Sequence, residues 1–119
     1  MANYIIKTPR NINVQENDNS TIDIFPPVEL PFSDAQFTFG VFTKSASLFI
    51  KNNADIIRGT QEIESVTRNK LTINITPTNT LGHANKDLCW ELQLKKANGE
   101  FLTIGQGKFI IKKTRITNV

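Results

Sequence analysis

Two stretches of this chain alternate apolar and polar residues with a period of two, and that alternation restricts the fold more than any other feature. Leu71, Ile73 and Ile75 alternate with Lys70, Thr72, Asn74 and Thr76, and Leu88, Trp90, Leu92 and Leu94 alternate with Cys89, Glu91, Gln93 and Lys95. Successive side chains of a strand point to opposite faces, so each stretch reads as a half-buried strand with one wet face. Residues 77–87, which separate them, contain Pro77, Asn79, Gly82 and His83. They predict a turn or one short helical turn.

Downstream, Asn98-Gly99 follows Lys96-Ala97. This pair predicts a type I′ hairpin, whose two central residues both need positive φ. The next strand, residues 101–113, begins with Leu102 and Ile104 on one face and resumes after Gly105-Gln106-Gly107 with Phe109 and Ile111. A switch of parity across two glycines is the signature of a β-bulge. Residues 88–111 are therefore expected to form a long antiparallel hairpin.

The first half is strand-prone but less regular. Residues 4–7 and 11–14 flank Pro9. Residues 20–25 alternate Ile22 and Ile24 with Thr21 and Asp23, and residues 36–42 place Phe37, Phe39 and Val41 on one face. Residues 47–51 supply Leu48 and Ile50, and residues 56–57 and 62–66 are short edge candidates. Pro26, Pro27 and Pro31 force an extended, non-helical connection. The apolar set is rich in Ile, Val and Phe, eight of the last, which are strand formers.

About seven strands, separated by turn signals and with no amphipathic helix, predict an all-β domain, an immunoglobulin-like antiparallel β-sandwich over residues 1–119. Residues 1–10 are free to form an extended N-terminal arm. One sheet closed into an SH3-like or OB barrel would bury the same positions and stays open as an alternative. The expected core anchors are Trp90, Leu92, Leu94, Leu71, Ile73, Ile75, Phe37, Phe39 and Phe109.

A chain with 39% hydrophobic and 21% charged residues is too apolar for disorder. Cys89 is the only cysteine, so no intrachain disulfide can form, which fits a reducing compartment. The N-terminus has no apolar run of signal-peptide length, and no segment approaches the roughly 20 apolar residues that span a bilayer. The expectation is a protein made in the cytoplasm, with no membrane partner.

No catalytic or cofactor-binding constellation emerges. His83 and Cys89 lack a third zinc ligand at usual spacing, and Cys89 reads as a partly buried structural thiol. The loop Gln15-Glu16-Asn17-Asp18-Asn19-Ser20 lacks the Gly and distal Glu of a calcium loop and reads as a polar turn. Gly105-Gln106-Gly107 opens no helix, which excludes a dinucleotide loop. No cofactor or metal is expected, and the chain is expected not to be an enzyme. The net charge of +3 and pI near 9.2 raise a nucleic-acid-binding β-barrel as an alternative. Only Lys108, Lys112, Lys113 and Arg115 gather, however, and a short cluster of that kind reads as a solvated edge instead of a phosphate track. Lys108-Phe109-Ile110-Ile111-Lys112 offers one aromatic where RNA-stacking strands carry several.

Leu88-Cys89-Trp90-Glu91-Leu92-Gln93-Leu94, then Asn98-Gly99, then Thr103-Ile104-Gly105-Gln106-Gly107-Lys108-Phe109, resembles the small immunoglobulin-like modules of tailed-bacteriophage virions. These include the N-terminal domain of upper baseplate proteins. Residues 71–80 match the strand and threonine-rich turn that precede this block in such modules. The resemblance covers roughly the last fifty residues, and it departs in the Leu88-Cys89 start and in the stop at Val119.

It implies a structural virion role, as a capsid auxiliary or decoration protein or a tail or baseplate adaptor. Such a protein docks in many copies on other virion proteins, and its expected location is the virion, assembled in the host cytoplasm. The candidate partner contacts are Tyr4, Ile5 and Ile6 of the arm, and Phe25, Leu30 and Phe32 of the proline-rich segment. That segment is expected instead to cover the open end of the sandwich if its apolar side chains turn inward. A carbohydrate-binding sandwich is a further alternative, with Tyr4 and Phe42 as its aromatic candidates.

Overall fold

The computed structural model describes residues 11–113 in full and the backbone of residues 2–5. Among the described residues, nine strands form two sheets: β1 (Ala2–Ile5), β2 (Ile12–Gln15), β3 (Ser20–Phe25), β4 (Gln36–Phe42), β5 (Ser47–Lys51), β6 (Ile56–Ile63), β7 (Val66–Ile75), β8 (Leu88–Lys95) and β9 (Phe101–Lys112). One sheet has the order β1-β3-β7-β6 and the other β2-β9-β8-β4-β5. The chain is thus an all-β sandwich with free edges on both sheets, not a closed barrel. The order β3-β7-β6 facing β9-β8-β4 is the B-E-D against G-F-C arrangement of immunoglobulin domains, with β5 added beside β4 as in the variable type. The N-terminal pairings depart from pure antiparallel order. β1 runs parallel to β3, and β2 runs parallel to β9.

The alternation read from the sequence determines the core. In β8 it is strict, with Leu88, Trp90, Leu92 and Leu94 buried and Cys89, Glu91, Gln93 and Lys95 exposed. Leu71, Ile73 and Ile75 of β7, with Ile22 and Ile24 of β3, face Phe37, Phe39, Val41 and Phe109 of the other sheet in one cluster. All nine expected core anchors are at most 1% exposed. Phe39 stacks on Trp90 with ring centroids 5.7 Å apart, and Phe109 meets Phe39 edge-on at 6.4 Å.

The two glycines of β9 serve this packing. Gly107 pairs with Trp90 and Gly105 with Leu92, so β9 brings no side chain to the inner face beside the indole. The bulge lies just before them: Leu92 pairs with Gly105 but Gln93 with Thr103, leaving Ile104 as the extra residue. Parity therefore shifts from half-buried Leu102 and Ile104 to buried Phe109 and Ile111.

Several local expectations are corrected. The turn at Ala97-Asn98-Gly99 is not type I′, because Gly99 alone adopts positive φ (94°). Lys96 N–H bonds Glu100 O and Gly99 N–H bonds Lys96 O, which makes a three-residue loop closed by a left-handed glycine. The two-residue turn with both φ positive occurs instead at Glu64 (51°) and Ser65 (66°), joining β6 to β7 where Ile63 pairs with Val66. Residues 62–66 therefore span the turn: Glu62 and Ile63 end β6, which is an edge strand and also holds residues 56–57, and Val66 opens β7. In β5, the register slips between Phe42 and Val41, with Leu48 as the extra residue. This turns Phe49 inward and leaves Ile50 39% exposed, where simple alternation predicts Ile50 in the core. Residues 77–87 do contain one helical turn, Pro77–Thr80.

Left-handed backbone is strained for residues with a Cβ by roughly 1–2 kcal/mol each, and Asn-Gly is the pair best suited to it. Replacing Glu64-Ser65 by Asn-Gly is expected to raise stability by about 1 kcal/mol and the thermal midpoint by a few degrees. A scanning-calorimetry comparison with the parent checks this, and a lower midpoint would contradict the turn geometry.

Candidate functional site

The polar side chains with the firmest geometry sit at one end of the sandwich, around Arg58. This residue follows buried Ile56 by two positions on β6, so its side chain turns towards the interior where the apolar core gives out. Nη1 donates to Phe32 O (2.7 Å) and more weakly to Ser33 O (3.4 Å), while Nη2 donates to Ala35 O and to Asn53 Oδ1 (2.6 Å). The guanidinium also lies over the rings of Phe37 and Phe32, at 5.2 and 5.9 Å from their centroids. Asn53 Oδ1 accepts a second bond from Phe37 N–H at 2.9 Å. Every one of these partners is neutral, so the planar fork acts as a structural clasp between β6 of one sheet and β4 of the other.

This arrangement decides the role of the proline-rich segment. Leu30 and Phe32 are half-buried and pack against the core. Phe25 is 0% exposed and so cannot be a partner contact. The segment covers the open end, and only Val28 at its tip is exposed among its large apolar side chains. The arm also behaves differently from expectation where it is described. The backbone of Tyr4 and Ile5 pairs with Ile24 and Phe25 of β3, so this stretch belongs to the chain's own sheet edge. Ile6 lies outside the described residues.

The residues weighed for chemistry stay apart. Cys89 is exposed on the outer face of β8, not partly buried as expected, with Sγ 3.8 Å from Phe42 O. His83 Nδ1 lies 2.9 Å from Lys86 Nζ. The loop at residues 15–20 is closed by protein groups: Gly82 N–H bonds Glu16 Oε2 and Asn17 N–H bonds Thr80 Oγ1, both at 2.8 Å. Among the described residues no three His, Cys, Asp or Glu side chains gather as metal ligands, and no helix is long and apolar enough to cross a membrane. Lys108 and Lys112 open onto different clefts, and the cleft that holds Lys108 also holds Glu91. Arg115 lies outside the described residues.

The outer face of the second sheet carries a groove of about 400 Å³ over β4, β8 and β9. Register lays Gln36, Lys95 and Phe101 in one row across the strands and Thr38, Gln93 and Thr103 in the next. Phe101 is 59% exposed, with Lys95 Nζ 5.5 Å from its ring centroid. Phe42, one of the aromatics singled out from the sequence, is half-buried and folds back over Gly40, where an added Cβ would meet its ring at 2.5 Å. Sequence reasoning missed Phe101 because the bulge inverts parity along β9, and position 101 alone does not reveal its face.

No protein-family model and no curated protein matches the chain. Among solved structures, it is similar to murine CRIg at 13% identity, with a TM-score of 0.41, covering 92% of this chain and 96% of that one.

Arg58→Lys keeps the charge but loses the fork that serves several oxygens and two ring faces. The substitution is expected to cost about 2–3 kcal/mol in urea denaturation, and to speed hydrogen exchange at the Phe37 amide. A loss below about 0.5 kcal/mol, within the range of ordinary surface changes, would contradict the clasp.

Proposed function

We propose that this chain is a non-enzymatic immunoglobulin-like module of a tailed-phage virion, which docks on other virion proteins as a capsid auxiliary or decoration protein or as a tail or baseplate adaptor. The observation that carries the reading is the block from Leu88 to Phe109, whose residues resemble those of such modules. That block is the β8–β9 hairpin, and it contributes Trp90 and Phe109 to the core.

The exposed large apolar side chains bear on how docking would work. Among the described residues these are Val28, Ile50, Ile57, Val66, Leu81 and Phe101, each on a different strand or loop. Scattered single residues are ordinary on a monomer surface. On this reading each contact is small, and attachment depends on many copies bound to a repeating lattice. Val28 replaces Phe25 as the apolar contact offered by the proline-rich segment.

Density-gradient purification of the phage particles, with peptide mass spectrometry of the fractions, tests the proposal. The protein is expected to co-migrate with head or tail proteins at a fixed ratio. Its absence from intact particles would overturn the assignment.

A further inference from the structure

We infer that the groove across β4, β8 and β9 is a saccharide-binding site. The three strands are interior to their sheet, so their backbone groups are committed to the ladder and recognition there must come from side chains. Gln36, Gln93 and Asn53 line the groove and supply amides, and Thr38 adds a hydroxyl. Amides and hydroxyls both donate and accept hydrogen bonds, as sugar hydroxyls do.

Asn53 is pre-organised for this task. Its Oδ1 is held by Phe37 N–H and by the Arg58 guanidinium, and its Nδ2 has no partner among the described residues. Gln36 and Gln93 likewise make no side-chain hydrogen bond among the described residues. Phe101 offers a ring against which the C–H face of a pyranose can stack in place of the Lys95 ammonium that lies over it, which is then freed to donate a hydrogen bond to the sugar. A few fixed polar groups around one apolar platform is the usual make-up of a small-ligand site.

Charge and geometry disfavour other occupants. Lys95 is the only cation among the residues lining the groove, which is too few for the phosphate contacts that dominate nucleic-acid affinity. An extended peptide gains its affinity by adding to a strand edge, and β4, β8 and β9 are each flanked by strands on both sides.

The test is a titration of the isotope-labelled full chain with oligosaccharides of glucose, galactose, rhamnose and N-acetylglucosamine, with a thymidine oligonucleotide in parallel. At least one oligosaccharide is expected to shift the side-chain amide signals of Gln36, Asn53 and Gln93. Phe101→Ala should weaken that binding about tenfold, the worth of one aromatic contact, while Phe101→Trp retains it. Phe101 is largely exposed, so neither variant should lower the unfolding midpoint. The inference is overturned if no oligosaccharide shifts these signals at millimolar concentration. Binding that survives Phe101→Ala, or that the oligonucleotide reproduces, overturns it equally. Because the particle experiment reads assembly and this one reads ligand contact, either proposal can fail without the other.

Discussion

No disulfide joins the two sheets: they are held by the packing of Ile22, Ile24, Leu71, Ile73 and Ile75 of one against an aromatic layer of the other, with the Arg58 clasp at one end, and the Trp90–Phe39 contact lies within that layer. Immunoglobulin domains commonly join their B and F strands by a disulfide, against which a tryptophan from strand C packs. Here the only cysteine, Cys89, faces outward from the strand in the F position. Its neighbour Trp90 turns inward and stacks on Phe39 from the strand in the C position. Phe109 and Phe49 continue the aromatic run, with 5.9 Å between their centroids. A disulfide typically contributes about 2–4 kcal/mol, and truncating a buried large aromatic typically costs about 3–5 kcal/mol. These four rings all belong to the second sheet, and it is their burial against Ile22, Ile24, Leu71, Ile73 and Ile75 of the first that is large enough to stand in for the covalent tie.

Packing of this sort needs closed ends, because a sandwich with an open mouth admits water to its core. At one end the Arg58 clasp draws residues 32–35 and Asn53 together. The same clasp fixes Asn53 at the lip of the groove, so a residue that seals the interior also orients a side chain on the surface. The other end is tied by the bonds from residues 16–17 to Thr80 and Gly82.

Where the period of two is unbroken, as in β8 and the last half of β7, the core could be read directly from the residues. The departures all occur where something other than hydrophobic alternation determines the geometry. Leu48 and Ile104 are bulge residues, and each puts the two arms of its strand out of phase, which is why Ile50 and Phe101 lie on the outer face. The Glu64-Ser65 turn lacks the glycine or asparagine by which such turns are usually recognised. Phe25 is buried although it stands outside the main core cluster, and no local pattern distinguishes it from a presented side chain. Arg58 and Asn53 are 5 residues apart in sequence, yet their joint role depends on carbonyls about 25 residues upstream of Arg58.

The groove and the virion reading both presuppose that the outer faces are free because the inner faces are fully occupied. Trp90 is the chain's single tryptophan, so its fluorescence reports on that condition without labelling. The most direct measurement is acrylamide quenching of this emission through a denaturant titration, with the far-ultraviolet strand signal recorded alongside. The account predicts that the indole is shielded in native buffer and becomes quenchable in one transition that coincides with loss of the strands. An indole quenched freely while the strands are intact would contradict it.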